Sequence, residues 1–187
     1  MATIGLRDLY RAPITVTGGK ETYGTPVRMA KAINADLSVE VAEAVLRADD
    51  NVDEIIKDFV SGELKLNIND LTLVEQAAIL GQTIDDKGSL IASGEDDPPY
   101  MAVGFRAAKT GGKYKYIWLY KVKFALPSEK YATKGDKLEF ITPEITGTFI
   151  KRDDDLWKIE HVGLPTDEVP AVWFTKVQEA EIEPEEP

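Results

Sequence analysis

Residues 113–124, KYKYIWLYKVKF, place aromatic residues among lysines, and this stretch decides how the rest of the chain is interpreted. Successive side chains of a β-strand point to opposite faces, so the two residue types separate. A groove for single-stranded nucleic acid needs rings and cations on one surface, because bases stack on rings while cations track the phosphates. The pattern therefore favours a structural strand with a buried aromatic face, and a lysine face that is solvated or set against an acidic neighbour. The aromatic face would hold Tyr114, Tyr116, Trp118, Tyr120, Val122 and Phe124, and the other face Lys113, Lys115, Ile117, Leu119, Lys121 and Lys123.

Composition restricts the class of protein further. The chain has 187 residues, of which 43% are hydrophobic, so it can bury a core of its own. Its formal net charge of −11 repels DNA and anionic membranes unless positive charge is clustered. With no cysteine and one histidine, the chain can form neither disulfides nor a histidine-rich zinc site. No apolar run approaches the ~20 residues of a membrane span, and the N-terminus lacks a signal-peptide core, so we expect a protein made in a cytoplasm that stays soluble.

The remaining patterns predict a mostly β protein with one short α-helix. Residues 1–26, broken by glycines and prolines, are expected to form an extended N-terminal arm with short strands. Residues 48–54, ADDNVDE, are expected to be an acidic loop tip between strands. The helix begins at Thr72, where TLVE has capping-box spacing, and Gly81 is placed to end it. Fewer than three turns of helix are not stable alone, so this helix must pack on a sheet.

The chain is predicted to divide at about residue 165. Residues 1–165 form the β domain, and residues 166–187 form an acidic, proline-rich C-terminal segment. The last nine residues, EAEIEPEEP, are expected to be solvated, because they cannot bury enough apolar surface to offset their ordering entropy. Whether the segment after residue 165 decorates the surface, forms an interface or lacks fixed structure stays open at this point.

No stretch carries a complete motif for catalysis or for binding a metal. Asp49, Asn51 and Asp53 have the odd spacing of a calcium loop, but Glu54 and Val60 stand where that loop needs glycine and glutamate. A solvated loop is the better interpretation.

The other candidate motifs are also incomplete. The glycine–lysine pairs of TGGKET and TGGKY lack the earlier glycine and the hydroxyl of a phosphate-binding loop. His161 stands alone on a predicted strand, where a packed or rim position is the usual role, and no serine lies in a Gly-x-Ser-x-Gly elbow. A carboxylate pair for acid–base chemistry stays open, yet nothing selects one. We therefore expect no enzymatic activity, no cofactor and no metal.

Several stretches in a fixed order resemble the major tail proteins of long-tailed bacteriophages, which build the tail tube. The resemblance covers about residues 5–160. Its most telling parts are the strand with Gly104 and Phe105, the aromatic strand from Tyr114 to Tyr120, and the run FITPEITG that ends at Gly147. One departure is RDDDLWK at residues 152–158, where the family pattern would have a glycine in the turn.

The resemblance implies a β-sandwich or partly rolled barrel with one flanking helix. Subunits of this family form hexameric rings that stack into a tube, and strands from the six subunits complete a barrel around a lumen through which DNA passes without specific binding. The implied partners are copies of the same chain, the tape-measure protein and the tail-tip and terminator proteins, with no membrane. The implied location is the virion tail, after synthesis in the host bacterial cytoplasm. Ring order, lumen residues, host and initiating partner stay open.

The resemblance combines with the charge to give two hypotheses about the tube. Acidic residues line a lumen that does not hold DNA, because fixed cations would add a salt-dependent attraction, while the lysines of residues 113–123 pair between subunits or face outward. The acidic loop contributes to self-assembly, and we expect it, the N-terminal arm and the C-terminal segment to be ordered by neighbouring subunits. The assembly residues of that loop are Asp49, Asp50, Asn51, Val52, Asp53 and Glu54.

The alternative function is a soluble β-barrel that binds a ligand such as a carbohydrate, with Tyr and Trp as stacking surfaces. A ligand-binding module should remain a monomer or dimer and melt at a higher temperature with ligand. A tube subunit should form rings or filaments as its concentration rises.

Overall fold

One long antiparallel sheet forms most of the protein. The computed structural model describes residues 3–48, 51–127 and 142–180. Nine strands form one sheet that curls into a half-barrel, in the order β2-β1-β8-β9-β10-β5-β4, with β3 also paired to β1 and β11 to β9. The predicted mostly β fold is confirmed. The elements are β1 (Thr3–Thr17), β2 (Lys20–Tyr23), β3 (Val27–Ala30), β4 (Ala32–Ala48), β5 (Asn51–Ile68), α1 (Leu73–Leu80), β6 (Thr83–Ile84), β7 (Leu90–Ile91), β8 (Met101–Lys109), β9 (Tyr114–Phe124), β10 (Glu144–Phe149), β11 (Lys158–Gly163) and α2 (Glu168–Ala171).

Strand β9 lies at the centre of the sheet, and the predicted alternation along it is only partly right. Met101 pairs with Val122 and Val103 pairs with Leu119, so two residues of β9 oppose the single residue Ala102. This β-bulge reverses the two faces partway along the strand. As a result Val122 and Phe124 lie in the same cluster as Ile117 and Leu119, not with the tyrosines. Residues 116–120 are buried on both faces, because each face has its own cover.

The lysines of β9 are paired within the chain. Lys115 Nζ lies 2.8 Å from Glu160 of β11, and Lys123 Nζ lies 2.6 Å from Asp97. Lys121 pairs with Glu21 of β2. The expected acidic neighbour is thus present for three lysines. These contacts use the lysines inside one subunit, which differs from the hypothesis that they pair between subunits or face outward.

The first core face of the sheet is covered by α1. Thr72 caps the helix by accepting a hydrogen bond from the backbone N–H of Glu75, and Gly81 ends it with a φ of 69°, as the sequence predicts. The Glu75 carboxylate does not complete the capping box. It accepts two hydrogen bonds from the Arg11 guanidinium, at 2.7 and 3.2 Å, and so ties the helix to β1. The helix buries Ile79 and Leu80 in a cluster with residues of the sheet. The sheet residues of that cluster include Leu9, Leu64, Leu66, Ile68, Met101, Val103, Phe105, Leu119 and Ile145.

The second face is aromatic and is covered by the C-terminal segment. Trp173 and Val177 are buried against Tyr116, Trp118 and Tyr120. The Trp118 indole N–H donates to the Trp173 carbonyl oxygen at 3.1 Å. Residues 168–180, which we call the strap, are therefore ordered against the sheet. This answers the question that the sequence left open for this part of the segment, while residues 181–187 lie outside the described residues.

The N-terminal residues form part of the sheet. Residues 3–23 are not an extended arm but a β-hairpin within the sheet, because β1 pairs with β8 along most of its length and Leu9 and Ala12 are buried.

In the turn of residues 152–158, Asp155 has a φ of 64°, the left-handed conformation that glycine usually supplies. An aspartate thus adopts, in this turn, the backbone conformation that a glycine would supply. None of the helices in the described part of the chain is long and apolar enough to span a membrane.

Candidate assembly surface

The hairpin of β4 and β5 extends far beyond the rest of the sheet. Strand β10 pairs with β5 only from Gly62 to Asn67. Beyond Gly62 the two strands pair only with each other in the described part of the chain. We call this distal part, residues 39–48 and 51–60, the arm. At about 3.3 Å per residue it is roughly 30 Å long.

The arm has one face that is mainly apolar. Residues directly opposite each other in the hairpin share a face, and on this face Val39 lies opposite Gly62, Val41 opposite Phe59 and Val45 opposite Ile55. Val41 is 48% exposed and Ile55 is 52% exposed. The face is interrupted by one ion pair, between Glu43 and Lys57.

The opposite face of the arm is mixed. It carries Glu40, Ala42 and Asp58 nearer the body, and Leu46 and Ile56 nearer the tip. Leu46 is 55% exposed and Ile56 is 50% exposed. Apolar side chains therefore face solvent on both sides of a two-stranded ribbon, which is only marginally stable in water without further packing.

Both edges of the arm present unpaired backbone groups. In the described part of the chain, no strand is hydrogen-bonded to the outer edge of β4, and none is hydrogen-bonded to the outer edge of β5 from Asn51 to Ser61. Such edges can accept a strand from another chain. Exposed apolar faces and open edges in the same ribbon are features of an interface.

Aromatic packing fixes the arm where it leaves the body. The Phe59 ring stacks on Trp157 with centroids 4.9 Å apart, and Trp157 stacks on Phe149 at 5.5 Å. Gly62 allows this arrangement, because a Cβ there would lie 1.9 Å from the Phe149 ring. The base of the arm is therefore rigid, although the distal part has no third strand.

The predicted assembly loop lies at the tip of this arm, and its extent is corrected. Asn51, Val52, Asp53 and Glu54 belong to β5 and not to a loop. Val52 pairs with Arg47 and Glu54 pairs with Leu46, so the register shift at the tip leaves Asp53 without a directly opposite residue. Asp49 and Asp50 lie outside the described residues. Acidic composition suggested a loop, but pairing with β4 extends the strand through it. The role of these residues in assembly stays a prediction.

A depression of about 330 Å³ lies at the base of the arm on its polar side. Ser38, Glu40, Ser61, Glu63 and Thr148 contribute to its wall, and Ser61 donates a hydrogen bond to Glu40 at 3.2 Å. No aromatic ring lines it. Carbohydrate sites usually present rings for stacking, so this depression does not supply one.

Three of the aromatic residues that could have stacked on a ligand are buried in the core. Trp118, Tyr120 and Trp173 are at most 1% exposed. Burial raises the pKa of Tyr120 to about 12. His161 packs beside Trp173, with ring centroids 5.9 Å apart, which matches the packed role expected for it. Within the ranges that the structure describes, no three acidic or histidine side chains are grouped to hold a metal ion.

No protein-family model and no curated protein sequence matches this chain.

Proposed function

We propose that this protein is a structural virion subunit that assembles with copies of itself into stacked rings, the tail tube of a long-tailed bacteriophage. The rings number six subunits if this chain follows the family that it resembles. The tube conducts DNA during ejection. The virion tail is then its working location, and neither catalysis nor a cofactor is required.

The observation that carries this proposal is the arm. An isolated two-stranded ribbon with apolar side chains on both faces exposes both its faces and its edges, and monomeric proteins normally cover or shorten such edges. A second copy of the same chain can cover these exposed faces and edges. A head-to-tail contact of this kind closes into rings or continues as a stack, depending on its rotation.

The charge of the chain supports a conduit over a nucleic-acid-binding protein. The lysines on β9 that would attract phosphate are paired with Glu160, Glu21 and Asp97. With a net charge of −11, the protein surface repels DNA at moderate ionic strength. Such a wall would let DNA pass without retaining it.

A shortened arm provides the test. Glu43 and Lys57 are directly opposed, so residues 44–56 can be replaced by Asn-Gly, which forms a tight two-residue turn without changing the register. We expect this variant to fold and to melt within a few degrees of the parent protein, because the removed residues lie outside both cores. We expect rings or tubes from the parent protein and none from the variant, as seen by negative-stain microscopy and sedimentation velocity.

Point variants separate loss of length from loss of the apolar face. Val41→Lys and Val45→Lys together keep the arm but place charges on its apolar face, and we expect them to abolish assembly. Val16→Lys is the matched control, since Val16 is 64% exposed on the separate β1–β2 hairpin. Normal tubes from the shortened protein would contradict the proposal.

A further inference from the structure

A cluster of arginines lies on the sheet at the junction of β1, β3 and β8. Asp8 is at its centre, in a bulge of β1 where its φ is 56°. Its carboxylate accepts a hydrogen bond from Arg106 Nε at 2.6 Å and another from the Arg28 guanidinium at 3.3 Å. Arg7 lies directly opposite Arg106 in the β1–β8 ladder, so it projects from the same face.

The cluster has an excess of positive charge. Two guanidinium groups, those of Arg28 and Arg106, contact one carboxylate, and the strand register places Arg7 on the same face. In the described part of the chain, Asp8 is the only carboxylate paired with any of the three arginines. Arg7 forms no ion pair there, and Arg28 is 55% exposed. This positive site occurs on a chain whose net charge is −11. An anion can therefore approach Arg7 and Arg28 from solvent.

Part of the cluster is also held in place before any ligand binds. The Arg106 guanidinium lies over the Tyr114 ring at 4.5 Å and is held by Asp8, so its position is fixed. Guanidinium groups present planar pairs of donors that fit carboxylates better than lysine does. The geometry suits a short acidic segment that can reach two arginines together.

We propose that this cluster, Arg7, Arg28 and Arg106, receives the acidic arm tip of a second copy of the chain. The inference rests on the proposed function and names the surface that the arm contacts. The tip carries four carboxylates within six residues, Asp49, Asp50, Asp53 and Glu54. Charge complementarity joins this acidic tip to the exposed arginine cluster.

The tip that binds must belong to another copy. Strand β4 begins at Ala32, next to β3 and Arg28, and continues without interruption to Ala48 at the tip. Those residues span roughly 50 Å at about 3.3 Å per residue. The tip therefore points away from its own cluster, and a head-to-tail contact between copies satisfies both groups.

In a protein that conducts DNA, this arginine cluster is better suited to protein carboxylates than to DNA phosphates. Arginines left open in a conduit would attract passing DNA and slow it, whereas arginines covered by a neighbour's tip would not. The acidic remainder of the surface further disfavours the approach of a duplex.

Charge exchange tests the inference. One variant carries Arg7→Glu and Arg28→Glu and keeps Arg106, which is partly buried. A second variant carries Asp49→Lys, Asp50→Lys, Asp53→Lys and Glu54→Lys. We expect neither variant to polymerise alone, and an equimolar mixture to polymerise, because each reversed receptor then meets a reversed tip. Polymerisation of the receptor variant alone, or failure of the mixture, would overturn the inference.

A peptide experiment keeps this test separate from the test of the proposed function. A labelled peptide of residues 46–55 should bind the parent protein, and about tenfold more weakly the receptor variant, since two exposed ion pairs become repulsions. A peptide with lysine at the four acidic positions is the control. Equal binding to both proteins would reject the receptor even if the parent protein forms no tubes. A short DNA duplex that binds the parent and not the receptor variant would instead assign the cluster to phosphate.

Discussion

Glu43 and Lys57 lie directly opposite each other in the middle of the arm, with Lys57 Nζ 3.0 Å from Glu43 Oε2. They form the one charged pair on this face of the hairpin. The other directly opposed pairs of the face, from that of Leu37 at the base to that of Ile55 near the tip, carry no charge. Slipping the hairpin by one residue would move every apolar side chain to the other face. The ion pair therefore supports, in the middle of the arm, the register that the packing of Phe59 and Gly62 sets at its base.

Reversing one charge of this pair should affect assembly more than folding. Glu43→Lys sets two lysines opposite each other, but both positions are about half exposed, so we expect a loss of at most about 1 kcal/mol in the unfolding free energy of the subunit. If another copy covers this face, the unpaired charge becomes buried and tube formation should fail. Urea unfolding and microscopy of the same sample measure the two effects. The double variant Glu43→Lys, Lys57→Glu restores the pair and should restore tubes, and its failure to do so would count against a role in register.

The junction between arm and body should tolerate no side chain at position 62. Gly62→Ala places a Cβ against the Phe149 ring, which is held by Trp157, so we expect overpacking to remove about 1–3 kcal/mol of stability. The control is Gly94→Ala, where nothing lies within 4 Å of the added carbon and φ is not in the left-handed region. Urea unfolding of both variants is the measurement. Equal stabilities would mean that Phe149 moves aside without loss.

The tie between α1 and β1 should stabilise the helix face. Glu75→Gln removes the charge that holds Arg11, and both side chains are only 13% exposed. Hydrogen bonds to charged groups contribute about 1.5–3 kcal/mol, so a loss in that range is expected. Glu63→Gln is a suitable control, because its ion pair with Lys65 is about half exposed. A smaller loss for Glu75→Gln than for the control would show that the cap and the core hold the helix without this pair.

Local sequence signals predicted the helix correctly. Thr72 caps its first turn and Gly81 ends its last turn, and each acts on residues only a few positions away. The bulge in β9 was not predicted, because it arises from pairing with Ala102, a residue distant in sequence. The acidic composition of the tip predicts a loop, yet strand pairing with β4 extends through Asn51 and Val52. Acidic composition indicates that a segment favours contact with solvent, but it does not indicate whether a partner strand is present.

The strap was also beyond local prediction. The sequence leaves the role of the segment after residue 165 open and predicts a solvated segment only for residues 179–187. In the structure Trp173 and Val177 meet an aromatic face assembled from strands far away in the sequence. Trp173 buries a large apolar surface there, and Phe174 and Val177 pack on the same face.

Removal of the central strap residue should therefore expose the aromatic face. Trp173→Ala is expected to lower the unfolding free energy by about 3–5 kcal/mol, the usual loss for a buried tryptophan. Lys176→Ala, at an exposed position of the same strap, should change it by less than about 0.5 kcal/mol. Thermal or urea unfolding distinguishes these values, and a neutral Trp173→Ala would mean that the strap contributes little to the fold.

Alkaline pH should weaken the same face. Burial raises the pKa of Tyr120 from 10.0 to about 12, so the neutral phenol is favoured in the folded state. The corresponding stability is fully present below pH 10 and is lost as the pH rises through 12, since the unfolded chain ionises first. Tyr120→Phe keeps the ring and should show a smaller alkaline loss. Denaturant midpoints between neutral pH and pH 12 measure it, and parallel curves for the two proteins would contradict the assignment.

Hydrogen exchange of the arm amides tests the central claim most directly, because it reports whether a second copy completes this ribbon. Amides at the outer edges of residues 39–46 and 55–60 should exchange rapidly in dilute subunits. In concentrated or nucleated protein we expect strong protection of those amides together with hollow tubes in the microscope. Arm amides that stay unprotected in assembled material, or concentrated protein that forms no tubes under any nucleating condition, would contradict it.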